Sequence, residues 1–301
     1  MTNAWLQRVI TLGSFIFWWA LAAWAWGNHR AWAVASLLAP LLVTPLLLGI
    51  QCIWAALINR SEKMVRPASL GQWLGAWFSE WQVATKVFTW WQPFRHLAIA
   101  NNLKLTPNQR GIVLVHGFFC NRALWTDWMR QLRQKQLTFM AVDLEPAFGS
   151  ISEYADAVEA AIKQVEQATG LPPVLVGHSM GGLAIRAWAA KHVGKSGDMQ
   201  RIHRIFTLGT PHHGTAIAAA SHTLNGHQMR QASKWLMENA SLLPHDFAKY
   251  CTCYFSHCDN IVFPANTATL PGADNQHIAG YAHVQLVFSN DIQQACMASL
   301  N

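Results

Sequence analysis

The segment GHSMGG at residues 177–182 has the residue types and spacing of a reactive serine, and it directly follows the apolar run PPVLV. A strand, then G-x-S-x-G, then a helix is the pattern of a nucleophile elbow, a tight turn that raises the serine hydroxyl above a sheet. Gly177 and Gly181 are needed because side chains there would collide with the neighbouring strand and helix. The segment LAIRAWAA that follows is typical of a helix. The pattern predicts Ser179 as a nucleophile, and the alternative is a chance match to a short motif.

A nucleophilic serine requires a general base, an acid that orients the base, and donors for the oxyanion. For an elbow of this kind we expect the chain order serine, acid, histidine. Asp259 ends the run CTCYFSHCD, so it is expected at the carboxyl edge of the sheet beside Ser179. Asp246 and Asp274 are the alternatives, and each could instead be a solvated turn or cap residue.

The candidate base is His283, the last of fourteen histidines. It follows the short run HIAGYA and precedes the helix-like VQLVFSNDIQQACMASL, which places it on the loop after the predicted final strand. His277 is the alternative, but the sequence favours it as the first residue of that strand. We expect most other histidines to be surface or packing residues.

Two backbone N–H groups are predicted to form the oxyanion hole. One belongs to Met180, the residue after the nucleophile. The other belongs to Phe118 in HGFF at residues 116–119, where a glycine lets the backbone approach and His116 is expected to brace the loop. The alternative for HGFF is an ordinary glycine turn at a strand end.

These residues need a sheet to position them, and the sequence from residue 111 onward predicts one. Short unbroken apolar runs are typical of strands buried on both faces, and they alternate here with helical patterns. This alternation predicts right-handed βαβ units and the α/β class. The expected strands cover residues 111–117, 137–144, 173–177, 202–209 and 251–257, and the expected helices cover 121–135, 151–169 and 180–192.

The first sixty residues predict a transmembrane helical hairpin. No charged residue occurs at 9–26 or at 31–58, and about 20 residues suffice to cross a bilayer. The connector GNHR is short, and tryptophans cluster near it as in an interfacial belt. We expect Pro40 and Pro45 to kink the second helix. The alternative for the first segment is a cleaved signal peptide, since AWA at 23–25 resembles a cleavage site.

The flanking charges predict the orientation of the hairpin. Arg8 precedes it and three cations follow it, whereas the connector contains only Arg30; the three that follow are Arg60, Lys63 and Arg66. This asymmetry favours both ends, and the catalytic domain, on the cytoplasmic side of a bacterial inner membrane. Six cysteines without a disulfide framework fit a reducing compartment. The net charge of +7 comes without a nucleic-acid motif, so a membrane surface is the expected partner.

A tryptophan-rich segment at residues 70–91 links the two parts. It carries one predicted apolar helical stripe, and Glu80 and Lys86 fall elsewhere; the stripe consists of Trp73, Trp77, Trp81, Ala84, Phe88 and Trp91. The helix could lie in the headgroup plane or pack onto the catalytic domain, and the sequence leaves both open. The expected domains are 1–60, 61–100 and 101–301.

Five motifs over residues 110–297 resemble the bacterial triacylglycerol lipase branch of the α/β-hydrolases, and are similar to lipid deacylases of the GPI inositol-deacylase type. They are VHGFFCNRALWTDWMRQL, VGHSMGGLAIRAW, TLGTPHHGT, SHCDNIVFP and GYAHVQLVF. The resemblance implies the α/β-hydrolase fold and a preference for longer acyl chains. It also implies that His212 and His213 shape the wall of the site. A short cap at 215–250 would contain one helix, NGHQMRQASKWLMEN, bordering the acyl pocket.

The sequence therefore predicts a membrane-anchored serine ester hydrolase that acts on acyl esters such as lipids. The mechanism needs no metal and no organic cofactor. Acyl transfer or thioester hydrolysis by the same residues remains open, because only the acceptor or the leaving group differs. The alternative from another class is a membrane-bound binding or scaffold protein that keeps the fold without catalysis.

Overall fold

The computed structural model describes residues 2–27, 29–104, 109–195 and 197–300. Asn28 of the predicted connector and residues 105–108 at the predicted domain boundary lie outside the described residues. The α-helices, in chain order, are α1 Asn3–Trp26, α2 Arg30–Asn59, α3 Leu70–Thr85, α4 Gln92–Phe94, α5 Thr126–Gln134, α6 Tyr154–Thr169, α7 Met180–Trp188, α8 Leu224–Gln228, α9 Lys234–Leu242 and α10 Asn290–Ala298. The strands are β1 Ile112–Val115, β2 Phe139–Val142, β3 Val174–His178, β4 Arg204–Leu208, β5 Cys251–Phe255 and β6 Asp274–His277.

The strands form one parallel sheet in the order β2-β1-β3-β4-β5-β6. Its central strands are apolar on both faces because helices cover both sides. In β1, Val113 and Val115 face a core that contains α6 and α7, whereas Ile112 and Leu114 face a second core with α5 and α10. The predicted α/β class with a parallel sheet is confirmed. The carboxyl ends of all strands meet at one edge, where the predicted site residues lie.

The final strand differs from the prediction. β6 is the polar segment DNQH, and His277 ends it, whereas the sequence favoured a strand that His277 would begin. β6 lies at the edge of the sheet and pairs only with β5, so its side chains remain mostly in solvent. An exposed edge strand carries no apolar run, which is why the apolar pattern pointed to residues 277–282 instead.

The cap contains two helices where one was predicted. α8 and α9 are separated near Ala232, which has a positive φ of 53°. Ser233 then caps α9, because its side chain accepts a hydrogen bond from the N–H of Leu236. A side-chain cap of this kind starts a new helix where a continuous apolar pattern would predict a single one.

Both N-terminal helices are long and apolar enough to cross a bilayer by length and composition. α1 has a mean hydropathy of 1.6 and α2 of 2.2 over their most apolar windows. Only 11% and 22% of those windows are buried, so most of the apolar side chains face outward. The two helices meet through small residues, since Ala22, Ala25 and Ala33 are fully covered. α2 continues through Pro40 and Pro45.

The helix α3 packs onto the α/β part of the molecule with a face that coincides only in part with the predicted stripe. Its buried residues are Ala76, Glu80 and Ala84, and the π-helical turn Lys86–Trp91 continues this face with Val87 and Trp91. Trp73, Trp77 and Trp81 are only half-buried. Along α3 itself, two alanines and one carboxylate therefore make the contact, and these three tryptophans lie beside it. Ala84 and Trp91 belong to both the predicted stripe and the packed face. Glu80, which the sequence placed off the stripe, lies on the packed face.

Candidate active site

Ser179 occupies the turn between β3 and α7. Its backbone has φ 56° and ψ −128°, a left-handed conformation that a serine adopts only under constraint. The Ser179 N–H donates to Leu208 O at 2.8 Å, which ties the turn to the end of β4. A Cβ on Gly177 would lie 2.6 Å from Gly182 N, and one on Gly181 would collide with Val115 O. The strand and helix thus approach too closely for side chains, and the serine lies at the point where they meet.

Asp259 and His283 form a buried pair beside this turn. His283 Nδ1 lies 2.9 Å from Asp259 Oδ2, and the two side chains are 6% and 2% exposed. The other carboxylate oxygen, Oδ1, accepts from the N–H groups of Ile261 and Val262 at 2.8 and 2.7 Å. Both oxygens of Asp259 are therefore engaged, which fixes the carboxylate and with it the orientation of the imidazole.

Gly209 connects this pair with the serine turn. It follows β4 directly, and a Cβ built on it would lie 2.9 Å from Asp259 Oδ2 and 3.2 Å from His283 Nδ1. The preceding residue, Leu208, accepts the hydrogen bond from Ser179. The structure thus brings Ser179, Asp259 and His283 to the same edge of the sheet. Among the described residues, no hydrogen bond joins the Ser179 hydroxyl to the His283 ring.

His178 is a contact that the sequence reasoning missed. Its Nε2 donates to the carbonyl of His283 at 3.1 Å, and the two rings lie 4.6 Å apart between centroids. Burial holds the pKa of His178 well below its ordinary value, and the nearby His283 lowers it further. His178 is therefore a neutral donor that fixes the backbone of His283. It occupies the variable position of G-x-S-x-G, so the motif gave no signal for this role.

The predicted oxyanion loop lies against the serine. A Cβ built on Gly117 would be 2.8 Å from Ser179 Cβ. Within the described parts of the chain, neither the Phe118 N–H nor the Met180 N–H donates to another group. His116 braces the loop, since its Nε2 accepts from Leu144 N–H at 2.9 Å and its Nδ1 donates to Gly117 O at 2.9 Å. Two N–H groups are thus available beside Ser179.

The first turns of α1 support the same loop. Gln7 donates from Nε2 to Phe119 O at 2.7 Å and to Gln92 Oε1 at 3.0 Å, and it accepts from Asn121 Nδ2 at 2.9 Å. Asn3 donates from Nδ2 to Cys120 O at 2.9 Å. Phe119 has a positive φ of 53°, so its backbone needs such support. The sequence showed only polar residues ahead of an apolar run and no signal for this role.

Glu80 on α3 holds the segment that follows His283. Its carboxylate oxygens accept from the N–H groups of Val284 and Gln285, each at 2.9 Å. Glu80 is only 1% exposed. Burial raises the pKa of its carboxyl to about 7, although the two N–H donors and His283 lower it. Glu80 is the only acidic residue between Glu62 and Asp127, and this isolated carboxylate in a tryptophan-rich helix was the signal that could have revealed it.

The electrostatic surroundings of His283 favour its protonated form. Burial alone lowers the pKa of His283, but the carboxylates of Asp259 and Glu80 outweigh burial and raise the pKa above its ordinary value. A raised pKa makes the imidazole a stronger base, and the carboxylates would stabilise an imidazolium. The arrangement can therefore accept a proton from a neighbouring hydroxyl and hold it.

The alternative acids, and the two histidines expected at the wall of the site, have other contacts. Asp274 is exposed at the start of β6, where it accepts from Thr252, and Asp246 precedes a short 3-10 turn before β5. His212 is buried but its Nε2 contacts Thr207, and His213 is exposed. Across residues 2–27, 29–104, 109–195 and 197–300, no three His, Cys, Asp or Glu side chains are grouped as metal ligands.

Known proteins share sequence features and the fold of this chain. The sequence model of the alpha/beta hydrolase family matches residues 112–282. A solved Bacillus licheniformis lipase in its mature form is 18% identical, with a TM-score of 0.55 over 65% of this chain and 94% of that one. The propeptide form of the same lipase is 17% identical, with a TM-score of 0.52 over 66% of this chain and 52% of that one. No curated protein sequence matches. The structural likeness supports the fold, and the family match covers more than half of the chain, which therefore belongs to the alpha/beta hydrolase family.

Proposed function

We propose that the protein is a membrane-anchored serine hydrolase that cleaves acyl esters of lipids. The observation that carries this proposal is the buried His283–Asp259 pair, 2.9 Å apart, at the sheet edge where Ser179 occupies its constrained turn. A serine hydrolase of this family needs a nucleophile, a base and an orienting acid. Ser179, His283 and Asp259 would supply them, and they follow the expected chain order of serine, acid and histidine. Because the similar structures include lipases, we favour a fatty-acid ester as the substrate of this protein.

The proposed reaction uses each residue for one step. His283 accepts the proton of the Ser179 hydroxyl as the oxygen attacks the ester carbonyl, and Asp259 stabilises the imidazolium. The N–H groups of Phe118 and Met180 donate to the oxyanion of the tetrahedral intermediate. His283 then gives its proton to the leaving alcohol, and an acyl-enzyme remains on Ser179. Water attacks the acyl-enzyme, His283 takes its proton, and the free acid leaves.

The arrangement of the N-terminal helices supports the proposed membrane anchor. Their apolar side chains are exposed along most of their length, whereas Asn3 and Gln7 at the start of α1 are buried against the hydrolase domain. A cleaved leader would remove these contacts, so an intact hairpin fits the structure better. We propose the division into a hairpin (1–60), a linker helix (61–100) and a catalytic domain (101–301), with the catalytic domain in the cytoplasm.

Active-site labelling tests the proposed chemistry. The full chain, solubilised in detergent, is treated with a fluorophosphonate and examined by intact mass and peptide mapping. We expect one adduct on Ser179, none in Ser179→Ala, and unchanged labelling in Ser241→Ala, an exposed serine on α9. Unlabelled wild type is then assayed for hydrolysis of p-nitrophenyl esters of increasing chain length, with Ser179→Ala as the inactive control. Absence of an adduct in a folded preparation would contradict the proposal and favour a binding protein.

A further inference from the structure

A groove lies between the second half of α2 and the first half of α3, and His257 also lines it. Its cavity has a volume of about 510 Å³, within the range of small-molecule sites. We call it the α2–α3 groove. Its apolar walls are Gly49, Ile53 and Ala56 from α2 and Trp73, Leu74 and Trp77 from α3.

One end of the α2–α3 groove is cationic. Arg60 and Arg66 both line it, and both side chains are exposed. Neither guanidinium forms an ion pair or a side-chain hydrogen bond with any described residue. Glu62 lies between them in sequence, but its carboxylate accepts from the N–H groups of Lys63 and Met64. The two guanidinium groups are therefore available to an anion, and guanidinium groups bind phosphate oxygens with paired hydrogen bonds.

The opposite end of the groove is apolar and closed. Trp77 Nε1 donates to Pro45 O at 2.8 Å, which joins α3 to α2 there. Gly49 and Arg60 are eleven residues apart, so the groove follows about 16 Å of helix. Beyond the closed end, Leu46 and Leu47 are 64% and 56% exposed on the apolar part of α2. The groove thus changes from cationic to apolar in the direction in which the proposed anchor enters the bilayer.

We propose that the α2–α3 groove binds one anionic glycerophospholipid of the bilayer. Its phosphate would lie between Arg60 and Arg66, and an acyl chain would extend along Trp73 and Trp77. A free phosphate would leave the apolar walls uncovered, whereas a phospholipid matches both ends in the orientation that a bilayer imposes. This inference rests on the membrane anchor of the proposed function and not on the chemistry at Ser179.

The position of the groove also relates it to the active site. Trp73 and Trp77 line the groove, and Ala76 and Glu80 lie on the packed face of the same helix. A lipid between α2 and α3 would therefore hold the helix whose Glu80 binds the segment after His283. Binding to the folded state should raise the melting temperature.

Native mass spectrometry of the full chain in detergent tests the proposal. A Ser179→Ala background keeps the lipid from being cleaved, so binding is measured apart from hydrolysis. The probes are phosphatidylglycerol and phosphatidylcholine with identical acyl chains. We expect one phosphatidylglycerol per chain, retained about ten-fold more strongly than phosphatidylcholine, together with a higher melting temperature. Millimolar inorganic phosphate should not displace the lipid.

Two variants locate the binding. Arg60→Ala/Arg66→Ala should weaken phosphatidylglycerol binding about ten-fold or more, whereas Lys63→Ala, a nearby exposed cation outside the groove, should leave it unchanged. Ala56→Phe should block the acyl chain while keeping both cations. Equal binding of the two lipids, equal losses in Lys63→Ala, displacement by inorganic phosphate, or full binding by Ala56→Phe would overturn the proposal.

The proposed function fails in separate measurements. If no fluorophosphonate adduct forms, the proposed hydrolase activity is rejected. The lipid-binding result does not depend on that outcome. If alkaline carbonate releases the chain from membranes, the proposed membrane anchor is rejected. This measurement is independent of lipid binding in detergent.

Discussion

The N-terminal hairpin and the hydrolase domain bury opposite kinds of side chain. In the hydrolase domain, apolar strands fill two cores and polar groups collect at the carboxyl ends of the strands. In the hairpin, apolar side chains such as Ile16 and Leu46 are 70% and 64% exposed, whereas Asn3 and Asn59 at its base are 1% and 7% exposed. Burial that is reversed in this way fits a segment whose middle lies in lipid and whose base is bound to protein.

The base of the hairpin also contacts the segments that carry the candidate site residues. Asn59 donates to His257 O at 3.0 Å and accepts from Ala265 N–H at 3.0 Å, on either side of Asp259 in sequence. Gln51 accepts from Asn260, whose own Oδ1 accepts from the N–H of His283. Together with Gln7 at the oxyanion loop, these contacts make the hairpin part of the support of the site.

The largest expected effect concerns the hydrolase domain alone. Asp259→Asn should lower kcat on the order of 10³- to 10⁴-fold, because an amide cannot stabilise the imidazolium and favours the wrong tautomer. Asp246→Asn, the alternative acid, should keep nearly full activity. Ester hydrolysis at saturating substrate measures both. Equal losses in the two variants would reject Asp259 as the orienting acid.

The next effect tests whether the hairpin base supports the site. Gln7→Leu should leave Phe119 O without its donor and remove one of the two acceptors of Asn121 Nδ2. This costs about 1–3 kcal/mol and should displace the loop at Phe119. We expect kcat to fall about ten- to hundred-fold with little change in KM. Ser14→Ala, on the exposed part of the same helix, is the control. If detergent assays give both variants wild-type kcat, the hairpin is only an anchor.

Removing the Glu80 charge should change the pH dependence. Asp259, Glu80 and His178 are the titratable groups that face His283. The base must be neutral, and Glu80 raises its pKa, so Glu80→Gln should move the acid limb of kcat/KM to lower pH. Glu80 titrates near 7 itself, so the limb reports a coupled pair. We expect a rate loss on the order of ten-fold as well, because the amide cannot accept both N–H groups.

The control for this pH profile is Glu62→Gln, which removes an exposed carboxylate of the linker. Its profile should coincide with that of the wild type. A Glu80→Gln enzyme with lower activity but an unmoved acid limb would leave Glu80 with a purely structural role.

The smallest effects come from two capping boxes, one in the hydrolase domain and one at the start of the linker helix that follows the hairpin. Ser150 caps the helical segment that leads into α6, and Ser69 caps α3. Alanine at either position should cost about 1 kcal/mol, or a melting temperature lower by roughly 2–4 °C. Only Ser69→Ala should also reduce activity, about two-fold, because α3 carries Glu80. A reduction of equal size in Ser150→Ala would show that the loss does not depend on the position of Glu80.

Local patterns were sufficient for the central part of the molecule. The turn at Ser179 follows from a strand, two glycines and a helix that are adjacent in sequence. The strand β1 could be predicted because residues buried on both faces must all be apolar. The edge strand β6 could not, because Asp274 and His277 are exposed and carry no such signal.

By itself, the sequence determined the α/β class, the candidate serine, acid and base, and two spans of membrane length, since each depends on neighbouring residues. Only the tertiary structure decided which side of α3 is packed and what Glu80 and Gln7 bind. Their partners are distant in the chain, and a buried polar residue has no periodic pattern that names its partner. Its burial is stable because donors and acceptors meet in the folded state, and that match exists only in three dimensions.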